Sequence, residues 1–347
     1  MPVPPADLTD ITLIGGGPTG LFGAFYAGMR GASCRIIDSL PALGGQLATL
    51  YPEKFIFDVA GFPRVLAKDL IKAMAEQALQ FGCEVRLGET VTGLLKIEDP
   101  GDGSGHFLLQ TDGGEYPTRT LIICAGIGAF EARKLPVEGV EMWEGRGLDY
   151  TVQDPNALRG RRVLVVGGGD SAFDWITNLV GVAESIMLIH RRDAFRAHLA
   201  TVRQVERLQR QGKCEVRTSC EVKAIEGGDR VERVTLVNTK SGVEETLPFD
   251  AVVPQLGFHS DLGPVKQWGL DTEKAEIRVD RVMATNIAGI YAAGDVAAYP
   301  GKLKLIATGT AEACTAVNHA VHLIDPKKKM NPGHSSDLKI FAAQQLG

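Results

Sequence analysis

The stretch Ile11-Thr12-Leu13-Ile14-Gly15-Gly16-Gly17-Pro18-Thr19-Gly20 decides the fold. An apolar run of strand type enters G-x-G-x-x-G, small apolar residues follow over 21–29 as a helix, and a second apolar strand, 34–37, ends at Asp38. This is a βαβ unit with an acid 23 positions after its first glycine (15 to 38), the spacing of a dinucleotide turn. Gly15 permits the tight turn, Gly17 lets the backbone approach a pyrophosphate, and Gly20 lets the helix pack close to the strand. The helix start offers unpaired N–H groups and the positive end of its dipole to phosphates. Asp38 suits a ribose that keeps its 2′-hydroxyl, and Thr19 lies on the turn itself.

The motif occurs twice. Residues 162–166 form an apolar strand that enters Gly167-Gly168-Gly169-Asp170-Ser171-Ala172, or G-x-G-x-x-A; a helix to about residue 181 and a strand over 186–189 follow. The same 23-residue step from Gly167 lands on His190, followed by Arg191 and Arg192, with Arg196 one turn later. A carboxylate would repel a 2′-phosphate, whereas guanidinium groups grip one bidentately. The second site is thus expected to prefer NADP(H), with Gly167, Gly168, Gly169, Asp170 and Ser171 at its pyrophosphate. A third signal is the short apolar strand that ends in Gly294-Asp295, followed by a helix over about 306–324 whose start would aim a positive dipole end at a bound ring.

Composition narrows the function classes. The 347 residues are 44% hydrophobic and include 41 glycines but few aromatics, a balance that favours an α/β chain of more than one domain. A net charge of −5 argues against a nucleic-acid partner. The six cysteines, Cys34, Cys83, Cys124, Cys214, Cys220 and Cys314, include no C-x-x-C and no metal-ligand pattern, so a reducing compartment, the cytoplasm, is expected and a metal is not. No apolar run approaches the ~18 residues of a membrane span, and residues 1–10 lack the basic and apolar regions of a secretory leader.

The first fold is expected to be interrupted by the second. Residues 1–126 and 250–347 would form one domain, with 325–347 as a C-terminal extension; 127–249 would form the other and carry its own β excursion over 214–247. An amphipathic helix is predicted over 69–81, with Leu70, Met74, Ala78 and Phe81 on one face. The nesting needs two crossover segments, where a hinge is expected.

Taken together, residues 15–20, Gly44-Gly45-Gln46, residues 121–126, residues 167–172, residues 190–196 and Gly294-Asp295 resemble the low-molecular-weight thioredoxin reductases over nearly the whole chain. Those enzymes carry Cys-x-x-Cys just before the second glycine motif; here residues 148–154 read Leu-Asp-Tyr-Thr-Val-Gln-Asp, so a dithiol relay has no thiols to run on. Residues 43–47, Leu50-Tyr51-Pro52-Glu53-Lys54, residues 59–63 and the tail through Pro332-Gly333-His334-Ser335-Ser336 are similar to the thioredoxin reductase-like ferredoxin–NADP+ reductases. The resemblance implies two Rossmann-like three-layer ββα domains, a homodimer, FAD, NADP(H), and ferredoxin or flavodoxin as acceptor. It places FAD on Thr19, Asp38, Gln46, Tyr51, Val91, Phe130, Asp295 and Ser336. Tyr51 would stack on one face of the isoalloxazine, and His334 would cover the other, supplied by the partner subunit. Alternatives on the same scaffold are another acceptor (a thiol protein, a quinone or chelated iron) or an NADP-sensing flavoprotein without turnover.

The resemblance implies that the cofactor carries the chemistry and that no protein acid or base is required. Minor features have blander readings. Glu53 and Asp58 suit a loop salt bridge, and His190 suits the turn. Lys327-Lys328-Lys329, with Lys302 and Lys304, would be either a solvated loop or a docking patch near the flavin for an acidic carrier.

Overall fold

The computed structural model describes residues 7–50, 52, 54–98, 105–126, 128, 131–150, 152, 154–259, 261–337 and 341. They form two compact units, residues 1–130 with 260–347, and residues 131–259.

In the first unit the strand Thr9–Ile14 lies between Cys34–Asp38 and Glu115–Ile123, all parallel, with Glu84–Leu87 beyond Cys34–Asp38. The long strand Glu115–Ile123 works twice. Its second half pairs in parallel with Ile290–Ala292, and its first half pairs antiparallel with His106–Thr111, which pairs with Val91–Ile97. Alternation assigns the faces. Ile11, Leu13 and Ile36 pack against the helices Pro18–Met29, Ala67–Leu79 and Ile306–Ile324, while Ile14, Ile37, Leu121 and Ile123 pack with Leu262, Val265 and Ile277 on the other side.

Local chemistry explains the helices. Pro18 opens the first helix, where its missing N–H costs nothing. The second begins and ends two residues earlier than the periodicity predicts. Gln80 is its C-cap and Gly82 turns the chain at φ +73°, which frees Phe81 to lie against Gly28. A Cβ on Gly28 would sit 2.3 Å from that ring.

The second unit repeats the plan. Glu215–Thr218, Ser185–His190, Arg162–Gly167 and Ala251–Gln255 form a parallel sheet in that order. The helices Asp170–Leu179 and Leu199–Arg210 pack on one face through Phe173, Ile176 and Val205. The antiparallel strands Cys220–Gly227, Val231–Asn238 and Glu244–Pro248 pack on the other through Val222, Val234 and Leu236.

Two boundaries differ from the expected ones. The chain does not return to the first fold at residue 250: Ala251–Gln255 pairs with Arg162–Gly167, and the second unit continues to residue 259. The Arg162 guanidinium donates to both oxygens of Asp250 at 2.9 and 2.6 Å, a fork that sets this register and holds the Asp250 carboxyl below its ordinary range. The β excursion is likewise shorter than 214–247, because its first strand, Glu215–Thr218, extends the parallel sheet instead. An apolar strand reads alike whichever sheet receives it.

Candidate functional site

A cleft in the first unit is walled by the glycine turn, Asp38, Val91, residues 261–265, Asp295 and the start of the helix Ile306–Ile324. Three glycines shape its floor. Gly15 adopts φ +110° with Cys124 O only 2.5 Å from where a Cβ would be, and a Cβ on Gly20 would fall 1.9 Å from Gly15 O. Gly17 is the open one, since the nearest atom to its missing Cβ is the Gly45 Cα at 3.9 Å. Gly17 is also the N-cap of the helix Pro18–Met29, in extended conformation and with no side-chain cap. Its N–H groups therefore face the cleft unclaimed.

Asp38 is buried at the end of its strand and organises the turn. Its Oδ2 accepts the Gly16 N–H at 2.6 Å and its Oδ1 the Leu40 N–H at 2.8 Å, leaving lone pairs on both oxygens for a ligand hydroxyl. Burial raises the Asp38 carboxyl above its ordinary value, and the Leu40 and Gly16 bonds pull it back part of the way.

At the far end, the strand Ile290–Ala292 leads into Gly294 at φ +81° and Asp295, whose carboxyl burial also pushes up. Leu305 caps the last helix with no side-chain bond, so a second set of unclaimed N–H groups meets the same cleft. Thr19 fits between the two ends: its Oγ1 lies 2.8 and 2.4 Å from where Cβ atoms on Gly294 and Gly309 would stand. An acceptor for ribose, two helix starts and apolar walls of Ile14, Ile37, Leu47 and Leu262 fit an extended dinucleotide with a flat ring system.

Of the residues expected to hold this ligand, Gly15, Gly17, Thr19, Asp38, Gln46, Val91 and Asp295 line the cleft. Gly20 lies behind the turn, packed on Gly15. Tyr51 and Phe130, and with them Glu53, fall outside the described residues. His334 and Ser336 are exposed and are not part of the cleft formed by their own chain.

Sequence reasoning missed Glu312, a buried carboxylate on the last helix. Its Oε2 accepts the Gly294 N–H at 2.8 Å, and its Oε1 the Tyr299 hydroxyl at 2.5 Å. Lys302 donates to it as well, at 2.6 Å to Oε2. Burial and the Glu312 carboxylate push the Tyr299 phenol up to about 12.

The basic docking patch does not form near the cleft. Lys302 is spent on this buried pair, and Lys304, which does line the cleft, is paired with Glu276 at 2.7 Å. Lys327–Lys329 lie at the opposite end of the helix Pro18–Met29. Arg30 donates to Lys329 O at 2.6 Å, and Lys328 Nζ reaches Arg30 O and Gly31 O. A 12-residue helix puts that end about 18 Å from Gly17.

The second unit carries the other glycine turn. Gly169 caps the helix Asp170–Leu179 and, being glycine, makes no side-chain bond; Asp170, the first helical residue, accepts the His198 N–H at 2.8 Å. The His190 imidazole fills the space where the first unit has its acid. A Cβ on Gly168 would sit 2.3 Å from the ring, and Phe195 stacks at 5.5 Å. Burial lowers the His190 pKa, and Arg192, Arg196 and Arg191 lower it further, so the imidazole is neutral at pH 7. The Arg196 N–H donates to Gly168 O at 2.7 Å, tying the arginine loop to the turn. Arg191, Arg192 and Arg196 are exposed, and their side chains hold no ion pair among the described residues.

All six thiols are unlinked. Cys34 and Cys83 face each other beside the end of the paired strands away from Asp38; that contact and burial push the Cys34 thiol up. Cys124 lines the cleft alone, and burial drives its thiol far above the ordinary range.

Residues 9–320 match the family model described as pyridine nucleotide-disulphide oxidoreductase. The chain belongs to that family. Among curated proteins, one of Halalkalibacterium halodurans named ferredoxin–NADP reductase is 50% identical over 96% of this chain and 98% of its own length. One of the same name from Thermus thermophilus is 46% identical, again over 96% of this chain and 98% of its own. Among solved structures, thioredoxin reductase of Lactococcus lactis superposes with a TM-score of 0.75 at 28% identity, covering 91% of this chain and 99% of its own.

Proposed function

We propose that this oxidoreductase is a ferredoxin–NADP+ reductase, with FAD in the cleft of the first unit and NADP(H) on the turn of the second. The observation that carries the reading is the contrast between two otherwise alike turns: Asp38 accepts hydrogen bonds at the first, while Arg191, Arg192 and Arg196 crowd a neutral His190 at the second. The curated relatives' names agree with it. Bound FAD supplies the redox chemistry, accepting hydride from NADPH and releasing electrons singly to ferredoxin or flavodoxin.

The chain's own residues bind and orient. Asp38 holds the FAD ribose, and the start of Pro18–Met29 holds its pyrophosphate. Thr19, Gln46, Val91 and Asp295 line its path, with Tyr51 and Phe130 completing it. Gly167, Gly168, Gly169, Asp170 and Ser171 hold the NADP pyrophosphate, and the three arginines its 2′-phosphate. Tyr51 and His334 are the flavin-stacking pair.

His334 and Ser336 act in trans, in a homodimer. The tail is anchored to its own protomer by Arg30 and by His322 Nδ1 against Lys328 O at 3.2 Å, and it leaves both residues exposed and outside their own cleft. No described helix is long and apolar enough to cross a membrane. Six unlinked thiols favour the cytoplasm as the site of action.

Anaerobic titration of the yellow protein with NADPH should bleach the flavin, and added ferredoxin should restore the colour. Cytochrome c reduction that stays flat on adding either ferredoxin or flavodoxin would overturn the acceptor assignment.

A further inference from the structure

Lys302 and Glu312 are 7% and 5% exposed in their side chains, the most deeply buried ion pair among the described residues. Burying two charges carries a desolvation cost that a pair of apolar side chains would avoid, and such a pair is weak support for stability. Its surroundings point to another use. One Glu312 oxygen accepts the Gly294 N–H, and the next residue, Asp295, lines the cleft. Gly294 is held in the left-handed region at φ +81°, with Thr19 on one side and Gly309 of the last helix on the other. Glu312 thus joins, through its own helix, the uncapped start at Leu305 and Ile306 to the turn that presents Asp295.

The charged and titratable groups around the pair are Tyr299, whose ring also lies 5.5 Å from Lys302 Nζ, together with Asp295 and Cys124; beyond Asp295 stands the ion pair of Lys304 with Glu276. Within this ring the charges of Lys302 and Glu312 cancel.

We propose that the Lys302–Glu312 pair positions the Gly294–Asp295 turn and adds no net charge of its own beside the bound flavin, an inference that rests on FAD occupying the cleft. Glu312 and Lys302 are positioning residues: they act through Gly294 and through charge, not by touching a reacting atom.

The test is the flavin midpoint potential of purified holoprotein, read by dye-coupled titration at pH 7. Reduction brings negative charge onto the ring, so an uncompensated cation nearby raises the potential and an uncompensated anion lowers it. E312Q, which leaves Lys302 without its counter-charge, should shift the midpoint upward. K302M, which leaves Glu312 without its counter-charge, should shift it downward. The double variant E312Q/K302M should return close to the parent. E312A should release FAD about tenfold more readily, through loss of the Gly294 acceptor, and E312Q, which keeps an acceptor, should rescue most of that loss. Should E312Q fail to accumulate folded, the downward shift of K302M decides alone. Yellow variants whose midpoints do not move, or move in the same direction, overturn the inference. A parent protein that takes up no FAD overturns instead the reading on which it rests.

Discussion

Asp38 and His190 stand at corresponding strand ends and face opposite tasks. Each was legible in the sequence, because a fixed step from the first glycine of each turn lands on it. What the sequence could not give was their state. Asp38 is engaged by two backbone N–H groups, and His190 is pressed neutral against Gly168. Replacing Arg191 and Arg192 with Ala removes charge-assisted bonds to the 2′-phosphate, about 2 kcal/mol or more together, so the NADPH KM should rise on the order of 30-fold while that for NADH changes little. Steady-state kinetics with both nucleotides check this, and equal loss for the two would refute it. Asp38 predicts a pH effect. Its carboxyl titrates above its ordinary 3.8. Its own contribution to apoprotein stability is therefore present at low pH and lost as pH rises through the raised value. Ribose binding runs the other way, because it needs the carboxylate. FAD release, read by fluorescence, should accelerate as pH falls through that raised value. In Asp38→Asn that step should vanish and retention should be weaker at neutral pH.

Among the elements, close approach between backbones is the controlling feature. A Cβ on Gly20 would meet Gly15 O at 1.9 Å, and backbone cannot yield as a side chain can. Gly20→Ala should cost about 1–3 kcal/mol in denaturant melts and yield protein with little bound flavin. Gly309→Ala meets the Thr19 hydroxyl instead, at 2.4 Å. Its cost should shrink when combined with Thr19→Ala, and a double-mutant cycle with no coupling would show that the two do not share this space. Helices and strands with a capping glycine or a clear period were readable in advance. The destination of Ala251–Gln255 was not, since a short apolar strand carries no mark of its partner. Glu312 and Lys302 were illegible for a related reason: one is a polar residue in a helix and the other a lysine in a loop, and only the tertiary turn at Gly294 brings them together.

The whole molecule is two copies of one architectural idea, nested in one chain, with an acid after one glycine turn and a histidine followed by arginines after the other. Its tail is the least self-sufficient part. Deleting residues 333–347 removes His334 and Ser336, so it should weaken flavin retention and expose the ring, raising non-specific oxygen consumption in an electrode assay; unchanged oxygen uptake would count against a covering role for His334. The thiols have a consequence of their own. Cys124 is driven far up by burial, Cys34 well up by its contact with Cys83 and by burial, and Cys314 to about 11 by burial, so little of any of them is present as the reactive thiolate near neutrality. Cys34, Cys124 and Cys314 are therefore poor targets for iodoacetamide, and a flavin path that uses no thiol pair does not depend on them. It should keep delivering reducing equivalents in a cell whose dithiol enzymes have already stalled.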